Sequence, residues 1–202
     1  NTIIRVIVYK SGKLPSSVIT YSYFINEDTT LPILSLVTEP DNLWSDETGI
    51  YVMGNHENCL QDWEKFASLS LLEGDSGFTI NCGLKMHGNG SLTRDEKKSF
   101  RVHFRGKYGD STLDYDLFDD CVSVFDSLVI RAGEDYRYSI FKNDVATAYA
   151  YKYLPSLNSQ TGKYCSLYIN GEYFGIYYLQ ERLTELSVSE HYDVDEDGVI
   201  IE

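Results

Sequence analysis

The chain has 202 residues, of which 43% are hydrophobic and 14% aromatic, so a buried core is expected and wholesale disorder is excluded. Its net charge of −14 repels phosphate backbones and anionic lipids, so no nucleic-acid partner is predicted and a basic partner is favoured. The sequence contains no run of about 20 apolar residues, so no membrane insertion is predicted.

The N-terminal residues predict a β-hairpin. Two β-rich runs, 2–9 and 17–25, flank a turn around Gly12. A two-stranded hairpin of this size is not stable alone. We therefore interpret residues 1–28 as the end of a separate β-sandwich module with its linker, and residues 29–202 as a second domain.

Several later segments alternate between apolar and polar side chains, as half-buried strands do. The clearest example is 78–88, in which every second residue is apolar. Further strands are predicted at 33–37, 49–52, 99–104 and 126–132.

One convincing helix is predicted over 138–154, and Pro155 would end it. Its apolar residues fall near the spacing of one helical face. They are Ile140, Phe141, Val145, Ala148 and Tyr149.

The remaining elements complete the prediction of the fold class. Two β-runs flank Asn170-Gly171, a strong signal for a two-residue hairpin turn, and 183–192 predicts a short helix. Strands, one main helix, a hairpin and a second helix indicate an α+β domain built on a mostly antiparallel sheet.

A glycine-rich connection joins two of the predicted strands and is the first candidate site. Gly88 and Gly90 allow a sharp turn whose N–H groups could approach a phosphate, and Lys97 and Lys98 follow it. Strand alternation places Lys98 on the same face as the apolar residues of 99–104, where an ammonium group needs a counter-charge or an anionic ligand. The alternative is an ordinary loop with a solvated lysine pair.

Two more charged residues end predicted strands. Glu181 follows the last hairpin strand and could pair with Lys98 across the sheet, as ion pairs do in phosphoryl-transfer sites. The alternative for Glu181 is a surface carboxylate beside Arg182. Arg131 ends the strand before the main helix, where a structural salt bridge is favoured over contact with a ligand.

Acidic residues near position 195 leave a calcium loop and an ordinary acidic turn as alternatives. Asp193, Asp195 and Asp197 alternate and precede Gly198, like the start of a calcium-binding loop. An acidic turn after a helix is the simpler interpretation.

The cysteines and histidines favour no metal site. Four cysteines lie far apart without a CxxC pair, and the four histidines lack the spacing of metal ligands. Cys82 is predicted to be buried on a strand, and one disulfide remains an alternative if the protein is exported.

Taken together, four segments resemble the spore-coat protein H (CotH) kinase family. The hairpin with its Asn-Gly-Glu-Tyr turn is the most specific of them. The segments are LPILSLVTEPDNLWSDETGIYV (31–52), GLKMHGNGSLTRDEKKSFRVHFRGKYG (83–109), FDSLVIRAG (125–133) and LYINGEYFGIYYLQERL (167–183). The first hairpin also resembles the end of the fibronectin-like modules related to chitobiase C-terminal domains.

The resemblance implies an atypical protein kinase that uses ATP and Mg²⁺ to phosphorylate Ser or Thr of another protein. It implies a fold similar to a kinase N-lobe, and a secreted, cell-surface or spore-coat location. Catalytic and metal-binding aspartates are expected beyond residue 202, so this portion alone should be inactive. The alternative function is a non-catalytic surface, scaffolding or carbohydrate-contact module.

The resemblance also assigns roles to individual residues. The loop that includes Gly88, Gly90, Ser91 and Arg94 would cover the phosphates. Lys98 would contact them, although Lys97 could exchange roles with it. Arg131 would lie beside the cleft, and Glu181 would lie at the edge of the nucleotide site. A basic Ser- or Thr-containing protein would be the substrate.

Overall fold

The computed structural model describes residues 1–27, 30–118, 122–133, 142–154 and 159–199. Its strands are β1 (Thr2–Val6), β2 (Ile19–Tyr23), β3 (Ile33–Val37), β4 (Lys65–Glu73), β5 (Ser76–His87), β6 (Ser99–His103), β7 (Leu113–Asp114), β8 (Val124–Phe125), β9 (Ser127–Arg131), β10 (Gly162–Ile169) and β11 (Glu172–Glu181). Its α-helices are α1 (Pro40–Trp44), α2 (Gly90–Arg94), α3 (Lys142–Tyr153) and α4 (Glu185–Tyr192).

Seven strands form a closed barrel in the order β10-β11-β9-β6-β5-β4-β3. Six of the seven neighbouring pairs are antiparallel, and the parallel pair β3–β10 closes the ring by setting Leu34 opposite Leu167. Closure pairs both edges of the sheet, which would otherwise present unpaired backbone groups.

This architecture corrects the predicted fold class. The protein is mostly β, with a mixed barrel and small helices, and not an α+β domain similar to a kinase N-lobe. The error has a physical cause. Alternation identifies strands and hairpins, but the parallel contact between β3 and β10 joins segments more than a hundred residues apart, and no local pattern encodes it.

The barrel interior is the hydrophobic core. Along β6, Phe100 and Val102 point inward and are fully buried, as the alternation predicted. Their neighbours on β9 and β11 continue the same layers. The inward residues of those two strands include Leu128, Ile130, Tyr177 and Leu179.

The strand β1 pairs with β2 outside the barrel, which confirms the first hairpin. One face of this hairpin contacts the barrel, because Thr20 is buried and Ser22 Oγ lies 2.8 Å from Ser35 Oγ. The other face is apolar and roughly half exposed. Its residues are Ile4, Val6, Ile19, Tyr21 and Tyr23.

Two local predictions fail in instructive ways. Residues 49–52 do not form a strand, because the N–H groups of Ile50 and Tyr51 donate to carbonyls of α1. In α3, Val145 and Tyr149 are 54% and 60% exposed, so the predicted apolar face is not buried in the described part of that helix. The first predicted helical residues, 138–141, and Pro155 lie outside the described residues.

The other predicted elements are confirmed. The turn between β10 and β11 has positive φ at Asn170 (51°) and Gly171 (86°), as a primed hairpin turn requires. Helix α4 begins after Thr184, whose hydroxyl accepts from Ser187 N at 3.2 Å while Ser187 Oγ accepts from Thr184 N at 2.9 Å. This reciprocal cap fixes where α4 begins.

Candidate functional site

The glycine turn begins where β5 ends. Gly88 has φ = 124°, a conformation that residues with a Cβ rarely adopt, and a Cβ there would lie 2.5 Å from Ser91 Oγ. Gly90 has open space around it and begins α2. The sequence therefore needs glycine at position 88 for the turn itself.

The end of α2 is anchored by a buried carboxylate. Asp95 is 2% exposed, and its Oδ2 accepts a hydrogen bond from Arg94 Nη2 at 2.8 Å. Lys98 Nζ donates to the main-chain oxygen of Asp95 at 2.9 Å and lies 5.0 Å from the centre of the Tyr51 ring. Arg94 and Lys98 are thus brought together around Asp95.

The side chain of Lys97 contacts segments of the barrel other than Asp95. Its Nζ donates to Ala132 O at 2.9 Å and to Ile176 O at 2.6 Å, and lies 4.3 Å from the centre of the Tyr177 ring. Burial lowers the pKa of Lys97. Lys97 therefore links the beginning of β6 to β9 and β11.

Two buried tyrosines hold the main chain of the lysine pair. Tyr51 donates to Glu96 O at 2.8 Å and accepts from Lys98 N at 3.1 Å, while Tyr177 donates to Lys98 O at 3.2 Å. Burial raises the pKa of both phenols. Our sequence reasoning missed these tyrosines, because the contacts join positions more than forty residues apart.

Glu181 lies far from Lys98. It pairs with Leu128 on β9, which pairs with Val102 on β6. Val102 is four residues beyond Lys98, a separation of roughly 13 Å along a strand. The carboxylate instead accepts a hydrogen bond from His191 Nε2 of α4 at 2.8 Å. The predicted Lys98–Glu181 ion pair is therefore absent, whereas the nucleotide-binding roles of these residues stay predictions.

Arg131 forms the structural salt bridge that the sequence favoured. Its Nε donates to Oδ1 of Asp144 at 2.5 Å, and the side chain of Asp144 is 1% exposed. The pair joins the outward face of β9 to helix α3.

A cavity of about 480 Å³ lies beside the glycine turn. Arg101, on the outward face of β6, reaches it, whereas Lys98 does not line it. Strand alternation could have placed Arg101 on this face, but we had no reason to expect a cavity there. The lining residues are Cys59, Leu60, Gln61, Asp62, Met86, His87, Gly88, Asn89, Leu92 and Arg101.

Arg101 and His103 are neighbours on the outward face of β6. Each has a buried nitrogen, Nε and Nε2 respectively, without a hydrogen-bond partner among the residues that the structure describes. Burial, and then the nearby charge of Arg182, lower the pKa of Arg101. Burial, followed by Arg101, Arg105 and Arg182, lowers the pKa of His103 to about 4. Cationic side chains therefore concentrate on this face of an acidic protein.

The described residues hold no group of three or more His, Cys, Asp or Glu that could bind a metal ion. Asp193 ends α4 with φ = 51°, and Asp195 Oδ1 accepts from Asp197 N at 3.2 Å in the following turn. In the described structure the acidic segment forms a helix end followed by a turn. Cys59, Cys82 and Cys165 are buried free thiols, and Cys121 lies outside the described residues.

This geometry defines a class of protein. It is a β-barrel in which a glycine turn lies beside a cavity and leads into a pair of lysines. The family model for CotH kinase protein matches residues 84–202, more than half of the chain, and the chain belongs to this family. No curated protein matches it. None of the helices in the described ranges is long and apolar enough to cross a membrane.

Proposed function

We propose that this chain forms the nucleotide-binding part of a CotH-type protein kinase that transfers the γ-phosphate of ATP to Ser or Thr of another protein. The observation that carries the proposal is the glycine turn at Gly88, which adjoins a cavity and leads into the lysine pair. A position that excludes a Cβ lets backbone N–H groups approach a phosphate closely.

The proposed roles follow the positions of the side chains. Gly88, Gly90 and Ser91 would cover the phosphates, and Lys98 with Arg94 would supply positive charge where both meet Asp95. Arg131 would act from the neighbouring strand, and Glu181 from the far end of the barrel. Since these last two are engaged by Asp144 and His191, we expect them to position backbone rather than to touch phosphate.

ATP would supply the phosphoryl group, and Mg²⁺ would neutralise the charge that develops on it. The open space at Gly90 and the buried, unpartnered Nε of Arg101 fit a phosphate-bearing ligand. We assign no metal ligands, because the described ranges lack a suitable cluster.

Calorimetry with MgATP tests the proposal. The chain should show saturable binding, and Lys98→Gln should weaken it about tenfold, the loss expected for one charge-assisted hydrogen bond. Lys10→Gln, an equal charge change on the exposed hairpin, is the matched control. Failure of the natural chain to bind MgATP would refute the nucleotide-binding role.

A basic protein is the proposed phosphate acceptor, since the net charge of −14 favours it, and a spore-coat or cell-surface location would accord with the family. We also propose that residues 1–28 end a separate fibronectin-like module. Support comes from the apolar face of the β1–β2 hairpin, where Tyr21 and Tyr23 are about half exposed. A face of this kind is what a second sheet covers in a β-sandwich.

The same exposed face favours the second candidate function, a non-catalytic surface or scaffolding module. In that case the hairpin would contact a carbohydrate or protein, and the barrel would bind no nucleotide. Replacing Tyr21 and Tyr23 by Ser would then abolish binding to the cell surface, whereas the kinase proposal expects MgATP affinity to be unchanged by these substitutions.

A further inference from the structure

Arg101 lines the cavity beside the glycine turn, and among the residues that the structure describes no ion pair engages its guanidinium. We propose that Arg101 binds a phosphate group in this cavity, between the glycine turn and the Leu60–Asp62 segment. The inference rests on the proposed function in one respect, since the phosphate would be that of the nucleotide. It adds a phosphate-binding residue that neither the sequence pattern nor the family match assigned.

The two lysines after the glycine turn each donate to main-chain oxygens, and Lys98 keeps further N–H groups for a phosphate. Lys98 Nζ donates to the carbonyl of Asp95, and Lys97 Nζ donates to the carbonyls of Ala132 and Ile176. Arg101 differs, because no hydrogen bond or ion pair engages its guanidinium within the ranges that the structure covers, and its Nε is buried. A buried donor left unsatisfied costs about 1–3 kcal/mol, and more when the group is charged. An anion in the cavity would remove that cost.

The barrel fixes where the guanidinium of Arg101 lies. Arg101 pairs with Lys85 on β5 and with Val129 on β9, so strands on both sides hold its backbone. Its side chain lies on the outward face and reaches the cavity wall beside Gly88. A guanidinium offers parallel N–H donors that match two phosphate oxygens, which an ammonium group cannot do.

The charges around the cavity favour an anion. Asp62 is the acidic residue in the lining, and its carboxylate forms an ion pair with Lys85, which is only 8% exposed. Because this pair is neutral overall, Arg101 leaves the cavity with one net positive charge. Burial, and then Arg182 and Arg105, lower the pKa of Arg101, while Asp62 and Glu64 raise it; Asp62 is paired with Lys85 and Glu64 with Arg105 and Lys107. An isolated cationic region on so acidic a protein attracts anions locally.

The test uses inorganic tripolyphosphate, which carries the phosphate chain without the nucleoside. The whole chain is titrated by calorimetry, and the Nε–H signal of Arg101 is followed by NMR. We expect tripolyphosphate to bind and to shift this signal, Arg101→Gln to weaken binding at least tenfold, and Arg101→Lys to recover only part of the loss. Arg105→Gln is the matched control, because Arg105 is held by Glu64 and does not line the cavity.

Each outcome decides the proposal. Equal losses in Arg101→Gln and Arg105→Gln would show general electrostatic attraction and overturn it, as would an unmoved Arg101 signal at saturating tripolyphosphate. If Arg101→Gln does not fold, the NMR signal of the natural chain and the affinity of Arg101→Lys still decide whether Arg101 binds tripolyphosphate.

A parallel titration with MgATP separates this inference from the proposed function. Tight MgATP binding that is insensitive to Arg101→Gln would refute the role of Arg101 and leave the kinase proposal standing. Tripolyphosphate binding at Arg101 without any MgATP binding would support the role of Arg101 and refute the kinase proposal.

Discussion

His191 of α4 donates from Nε2 to Oε1 of the buried Glu181 at 2.8 Å, and this pair lies far along the barrel from Lys98. The carboxylate that the sequence assigned to the lysine is therefore engaged by a helix instead. The two ends of the barrel are thus built differently. One end has the lysine pair and the glycine turn, and the other has a carboxylate that attaches α4.

Glu181→Ala should destabilise the fold. Removing this buried acceptor takes a hydrogen bond from the partly buried imidazole of His191, and we expect a loss of about 1–3 kcal/mol in the free energy of unfolding. Urea denaturation measures it. Glu190→Ala, an exposed carboxylate on the same helix, should change stability little. Equal effects of the two substitutions would contradict a structural role for the Glu181–His191 pair.

The Arg131–Asp144 salt bridge predicts a strong interaction between two substitutions. Asp144→Ala alone should cost about 3–5 kcal/mol, because the Arg131 guanidinium loses its buried counter-charge. Replacing both residues together, as Arg131→Met with Asp144→Leu, should cost much less than the sum of the single changes. A double-mutant cycle measured by urea denaturation tests this expectation. Strictly additive losses in the free energy of unfolding would contradict it.

The two glycines of the turn should respond in opposite ways. Gly88→Ala forces a Cβ against Ser91 at φ = 124°, and we expect about 1–3 kcal/mol of destabilisation together with weaker MgATP binding. Gly90→Ala meets open space within a helix, so the fold should tolerate it or gain slightly in stability. Thermal unfolding of both variants checks this, and a tolerated Gly88→Ala would speak against the turn geometry.

His103 should make stability fall on mild acidification. Its pKa is lowered to about 4 in the folded protein, whereas an unfolded chain has the ordinary value of about 6.5. Between these values the unfolded state binds more protons, so stability is lost as pH falls from about 6.5 towards 4.

Urea midpoints measured at a series of pH values between these limits test the expectation. His103→Gln should flatten the dependence, whereas His56→Gln, at an exposed position, should leave it unchanged. Arg101→Gln should raise the pKa of His103, since Arg101 is the largest charge that depresses it. An NMR titration of His103 that gives an ordinary pKa would rule out the buried, cationic surroundings that we describe.

Local chemistry made much of the fold predictable. The alternation in 78–88 and 99–104 predicted β5 and β6 and the inward face of each, because burial on one side imposes a period of two. Asn170-Gly171 predicted the hairpin, since both residues tolerate positive φ. The apolar spacing of 138–154 misled us, because the residue that α3 buries is the charged Asp144.

The sequence by itself determined most of the barrel strands, the hairpin turns and membership of the CotH family, since each depends on short-range conformational preference or on local motifs. Only the tertiary structure decided that the strands close into a barrel, that Glu181 binds His191, and that Arg101 reaches the cavity. Those outcomes depend on strand register between distant segments. A shift of one residue would turn every side chain to the opposite face, and no local pattern specifies which distant strand is the neighbour.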